Sequence, residues 1–132
     1  MAGYSGTPLP EKLGIAESSV VALIGAPSDL LSELPAGVRV KRQARGPADV
    51  VVAFFTESTE FERRIAALAK MIFPAGGLWV AWPKRASGRA TTMNEHVVRD
   101  VALPLGLVDN KVCAIDDTWT GLRVVWRVER RA

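Results

Sequence analysis

The sequence predicts an α/β fold of three layers, α/β/α. Its mostly parallel sheet of about six strands closes in a C-terminal antiparallel hairpin. Three observations predict it. The runs "SVVALIGAP" from Ser19, "DVVVAFF" from Asp49 and "GLWVAW" from Gly77 are continuously apolar, as strands buried on both faces of a parallel sheet must be. Stretches with apolar residues at helical spacing follow the second and third of these runs. Two last strand patterns, "NKVCAID" and "LRVVWRVE", are separated only by the turn "DTWTG".

Residues 1–18 read as a turn-rich arm, with glycines at 3, 6 and 14 and prolines at 8 and 10. They allow one helical turn near Glu11 to Leu13. The first apolar run is a buried strand, and Pro27 can open a short helix over "PSDLLSEL" that Pro35 and Gly37 close. "VRVKRQ", residues 38–43, alternates apolar and basic side chains, so it is expected at a sheet edge with one wet face. The link from there to "DVVVAFF" is short for a parallel crossover. Either it runs straight across one sheet face or the edge strand is antiparallel; the first is preferred.

Thr59 with Glu62 has the spacing of a capping box, and Phe61, Ile65, Leu68, Ala69, Ile72 and Phe73 then recur at helical spacing until "PAGG". Thr92 with Glu95 is a second such box, opening the helix "MNEHVVRDVAL" that Pro104 and Gly106 are expected to stop. Right-handed crossovers place the first, third and fourth strands side by side at the sheet centre. The chain, residues 1–132, is read as a single α/β domain.

Composition excludes several classes of function. With 48% hydrophobic and 23% charged residues the chain is globular rather than disordered. No apolar run reaches the length of a membrane span, so no membrane partner is expected, and no signal peptide is recognisable. A single cysteine, Cys113, lies between Val112 and Ala114 in a strand; a buried, inert thiol and a cytoplasmic setting are expected. One Cys and one His cannot build a structural zinc site, so no metal is assigned. No phosphate-binding P-loop, G-x-S-x-G elbow or H-E-x-x-H motif is present.

The net charge of +3 is too small to argue for nucleic acid, but the basic residues cluster at 40–45, 83–89 and 126–132. In open parallel sheets ligands bind beyond the carboxyl ends of the strands. The residues expected there are Pro27 and Ser28, then Thr56, Glu57 and Ser58, then Lys84, Arg85, Ser87 and Gly88. Their cations, hydroxyls and helix N-termini suit a phosphate, carboxylate or nucleotide. The alternative is that Ser28, Ser58 and Thr92 cap helices while Lys84 and Arg85 are solvated loop residues.

No catalytic residue is assigned. Glu57 is the one carboxylate expected at this rim. His96 either faces the same crevice or sits on the surface. Asp116 and Asp117 are expected to belong to the hairpin turn. Trp79 and Trp82 should point to opposite sheet faces, each under a helix. Trp119 is the tryptophan expected to be exposed, marking with Arg123 a protein interface.

Two resemblances add to this reading. A helix, an apolar strand after "PAGG", a second helix and a terminal hairpin, over roughly residues 48–128, resemble the C-terminal half of class I methyltransferases. In that fold a reversed last strand inserts into a parallel sheet. Those enzymes hold S-adenosylmethionine with a glycine-rich loop after the first strand and an acid at the end of the second. Here the loop is "GAPSDL", with Gly25 alone, and the second strand ends in Lys41, Arg42 and Gln43, so no cofactor is assigned. The stretches "AGYSGTPLPEKLGI", "LWVAWPKRASG" and "LGLVDNKVCAIDDTWTGLR" resemble a bacterial family named Domain of Unknown Function 3052. That resemblance implies a stand-alone cytoplasmic protein and carries no activity with it.

Three functions are compatible with these readings. The preferred one is a non-enzymatic binding or regulatory module for an anionic small molecule or a protein partner. The others are an enzyme on a degenerate methyltransferase-like scaffold, and a nucleic-acid-associated protein using Arg42, Arg45, Arg130 and Arg131.

Overall fold

The computed structural model describes residues 7–27, 30 and 34–131. Ser28 and most of the predicted "PSDLLSEL" helix lie outside them. The elements are α1 (Leu9–Lys12), β1 (Val20–Ile24), β2 (Arg39–Lys41), β3 (Val50–Phe54), α2 (Ser58–Ile72), β4 (Gly77–Pro83), α3 (Glu95–Leu105), β5 (Leu107–Ala114) and β6 (Trp119–Trp126).

These strands form a six-stranded sheet of order β2-β1-β3-β4-β6-β5. The first four are parallel to one another, so the edge strand β2 runs parallel to β1. β6 is antiparallel to both β4 and β5, and it inserts between them. A reversed strand wedged beside a parallel set is the arrangement that the methyltransferase resemblance implies. β1, β3 and β4 occupy the centre with nearly every residue buried, which is why these runs carry no polar alternation. The link over residues 42–49 returns past β1 on the α2 side, where Ala48 N donates to Met71 O at 2.9 Å.

The two faces are covered differently. Phe61, Ile65, Leu68 and Ile72 of α2, with Val98 and Ala102 of α3, pack on Val51, Leu78, Val80 and Leu122. A fully buried side chain such as Phe61 contributes about 1.5–3 kcal/mol. On the other face Leu9, Leu13 and Ile15 of the N-terminal arm, with Leu30, Leu34 and Val38, cover Val21, Leu23, Val52 and Trp79. Trp79 and Trp82 thus point to opposite faces, as their odd spacing requires. Trp79 lies under the arm rather than under a long helix. Its Nε1 donates to the Leu13 carbonyl at 2.9 Å.

Neither predicted capping box forms. Glu57 is the N-cap of α2 and offers no side-chain hydrogen bond, while Thr59 lies inside the helix. The Ser58 N–H instead meets Thr92 Oγ1 at 2.7 Å, a hydroxyl supplied from the next βα loop. The free N–H groups of a helix start donate to whichever oxygen arrives, and here it is a distant one. With Thr92 engaged there, α3 starts two residues later than the box implied. Asn94 caps it, accepting from Val97 N at 2.9 Å. Pro104 does not stop α3 but sits in its last turn. The stop comes at Gly106, whose φ of 99° is left-handed.

Candidate functional site

The loop after β4 carries most of the predicted rim. Its 3₁₀ turn, Arg85–Ser87, is closed locally: Ser87 Oγ donates to Lys84 O at 2.7 Å and accepts from Arg89 N at 3.2 Å. Gly88 follows with φ 75°, and a Cβ there would meet nothing. That glycine answers a backbone demand rather than a close approach. The loop is then fastened at both ends. Lys84 N donates to Thr118 O of the hairpin at 2.7 Å. Thr91 Oγ1 and Thr92 N donate to Thr56 O at 2.7 and 3.0 Å.

This fastening opens a cleft of about 710 Å³ beyond the carboxyl end of β4. Lys84, Arg85, Gly88 and Arg89 line one part of it, with Thr91, Asn94 and Glu95 beside them. Buried Trp82 and Met93 supply apolar surface. The cleft holds three cations against one acid, and that acid is engaged: Glu95 pairs with Arg99 at 3.1 Å, and Arg99 also reaches Asp109 at 3.0 Å. Among the described residues no carboxylate pairs with Lys84, Arg85 or Arg89. The Arg89 guanidinium stands 5.1 Å from the centre of the Trp119 ring, a cation–π distance that places it over the sheet end.

Of the predicted site residues, then, Lys84, Arg85 and Gly88 come together in one cleft. Thr56 spends its carbonyl on the neighbouring loop, Ser87 closes its own turn, and exposed Glu57 begins α2; none of these three lines the cleft. Ser28 lies outside the described residues. Exposed His96 does not line the cleft either. Arg89 was not singled out by sequence reasoning, although it belongs to the basic cluster at 83–89; its position opposite Trp119 depends on the hairpin.

Trp119 is not exposed. It begins β6 instead of sitting in the turn, retains only 8% exposure, and meets Phe54 edge-on at 5.0 Å. Asp116 closes the turn before it, its Oδ1 accepting from Thr118 N and Trp119 N at 2.8 and 2.7 Å, and so draws the indole onto the sheet. Arg123 lies four residues further along β6, in the middle of the strand. Cys113 is buried, and burial pushes its thiol above the usual range.

The end of β2 carries Lys41, whose Nζ donates to Arg45 O at 2.9 Å, and exposed Arg42. Among the described residues no carboxylate stands there. Gly25, after β1, has φ 69°, and a Cβ would come within 3.3 Å of Phe54 O, so it serves packing against β3. The basic residues 42 and 45 adjoin one edge strand, while 130 and 131 follow β6. β2 and β6 are four strand spacings apart, about 19 Å, so the two groups do not form one patch. Among the described residues no helix is long and apolar enough to cross a membrane.

No protein-family model matches the chain, so the Domain of Unknown Function 3052 resemblance stays an expectation, and no curated protein matches either. Solved structures do. The chain is similar to a SAM-dependent methyltransferase from Aquifex aeolicus at 12% identity and a TM-score of 0.56, over 86% of this chain and 85% of that one. It is also similar to magnesium protoporphyrin IX methyltransferase from Synechocystis PCC 6803 with bound SAM, at 12% identity and a TM-score of 0.56, over 90% of this chain and 74% of that one. A second structure of that enzyme, with SAH, aligns over 68% of this chain and about half (51%) of its own, at 16% identity and a TM-score of 0.49. The likeness is one of fold: a methyltransferase-like α/β sheet.

Proposed function

We propose that this methyltransferase-like fold serves as a binding module for an anionic small molecule, held beyond the carboxyl end of β4 by Lys84, Arg85 and Arg89. One observation carries the reading: three cations line a single cleft and no described carboxylate neutralises them. Unpaired cations facing a cleft attract phosphate or carboxylate groups. Trp82 and Met93 offer apolar surface to the rest of the ligand. Glu57 stands outside the cleft, and Glu95 is bound to Arg99. The cleft therefore supplies charge and hydrogen bonds rather than an obvious proton acceptor.

The fold likeness favours a second reading, a group-transfer enzyme using S-adenosylmethionine. Against it stand the lone Gly25 after β1 and the basic end of β2, where a carboxylate would hold the ribose.

A thermal-shift panel separates the two. It contains adenine and nicotinamide nucleotides, coenzyme A esters, inorganic phosphate, S-adenosylmethionine and its demethylated product. A ligand at about 100 times its Kd adds roughly 2.7 kcal/mol, a shift of several degrees in a domain of this size. The proposal expects a phosphorylated ligand to stabilise the wild type and to lose most of its effect in Lys84→Ala/Arg89→Ala and in high salt. Stabilisation by S-adenosylmethionine alone, indifferent to those substitutions, would favour the enzyme. No anionic ligand shifting the folded wild type would remove the proposal.

A further inference from the structure

A second recess, of about 480 Å³, opens at the opposite end of the sheet, beside the amino ends of β3 and β4. Val50, Met71, Ile72 and Phe73 make much of its wall, and two charged residues, Asp49 and Arg123, join them. Asp49 has work of its own: Oδ2 accepts the Val20 N–H at 2.8 Å, starting β1. Arg123 has none. No described residue pairs with its guanidinium or accepts a hydrogen bond from it. Its register partner on β5 is another cation, Lys111. Burial and nearby Arg131 both push its pKa down.

The sequence makes room for this arrangement. Gly77, the last residue of "PAGG", lies directly beneath the guanidinium. A Cβ there would come within 2.7 Å of Arg123 Nη2, so a glycine lets the arginine lie across the start of β4. Its nitrogens are not buried, so its five donors face solvent and are open to a ligand. A carboxylate presents two oxygens at the spacing of that fork. Asp49 in the same wall repels a second negative charge, which selects against dianions.

We infer that this recess binds a small monocarboxylate, its head group forked on Arg123 and its apolar body against Val50, Met71 and Phe73. The site is separate from the Lys84 cleft and does not depend on it.

Titration calorimetry of the full chain carrying Lys84→Ala/Arg89→Ala, so that the first cleft no longer draws anions, with hexanoate and benzoate, their uncharged amides, and inorganic phosphate tests it. The carboxylates are expected to bind with Kd below about 1 mM, and the amides and phosphate to bind far more weakly. Arg123→Met should weaken the carboxylates about 10-fold or more, the scale of one charge-assisted pair. Gly77→Ala keeps the charge but displaces the guanidinium, and should weaken them likewise even if Arg123→Met fails to fold. In that background, amides binding as well as acids, phosphate binding as well as the carboxylates, folded Arg123→Met binding like its parent, or no carboxylate binding to the parent would each overturn the inference.

Discussion

Replacing Thr92 by valine removes one hydroxyl and nothing else of comparable size. That hydroxyl accepts from Ser58 N at 2.7 Å and so completes the first turn of α2 from 34 residues away. The pair is partly solvated, so water replaces some of what is lost, and the cost falls in the middle of the range for a lost cap, about 1 kcal/mol. For a domain of this size that lowers Tm by roughly 3–4 °C. The Thr92 backbone bond to Thr56 O, at 3.0 Å, survives the change. Urea denaturation followed by circular dichroism measures it, with the midpoint falling and the slope unchanged. Two controls sharpen the result. Thr92→Ser keeps the oxygen and should recover most of the loss. Thr59→Ala, which the sequence pattern marks as the cap but which offers no cap bond, should cost at most a few tenths of a kcal/mol. A neutral Thr92→Val, or a Thr59→Ala that costs as much, would show the cap to be local after all.

Other substitutions probe other parts of the fold. Asn94→Ala deletes the cap of α3 and should cost about 1 kcal/mol by the same denaturation measurement. Trp79→Phe shrinks the largest fully buried side chain and strands the Leu13 carbonyl. About 2–4 kcal/mol is expected, with earlier proteolysis of the N-terminal arm in a limited digest. Burial raises the Cys113 thiol above its ordinary 9.0. As the pH climbs past that value the unfolded chain loses its proton first, so the stability this thiol contributes is present below it and lost above it. Denaturation midpoints should fall more steeply in alkali for the wild type than for Cys113→Ala, and equal slopes would refute the assignment.

The parallel core was legible because its signal is local. A strand covered on both faces has no wet position, so "SVVALI", "DVVVAFF" and "GLWVAW" announce themselves as continuous apolar runs. The same holds for β2, whose alternation of Val with Arg and Lys marks an edge, and for the odd spacing that sends Trp79 and Trp82 to opposite faces. Of the candidate cleft, the Lys84–Arg85 pair was legible from composition and from its place after a buried strand. Its companion Arg89 and its separation from Glu57 and Ser87 were not.

What the sequence determined by itself was therefore whatever depends on neighbours a few residues away: element type, edge or centre, and the turn at Asp116. Tertiary structure alone decided which partner each polar group takes. Thr92 spends its hydroxyl on α2 rather than on its own helix. Trp79 finds its acceptor 66 residues earlier, at Leu13. Trp119 is folded beneath Arg89 instead of facing water, and Arg123 lies over Gly77 with no described counter-charge. Each of these is a contact between segments far apart in the chain. Periodicity is blind to such contacts, because the free energy that selects them is gained only when the sheet has already brought the segments together.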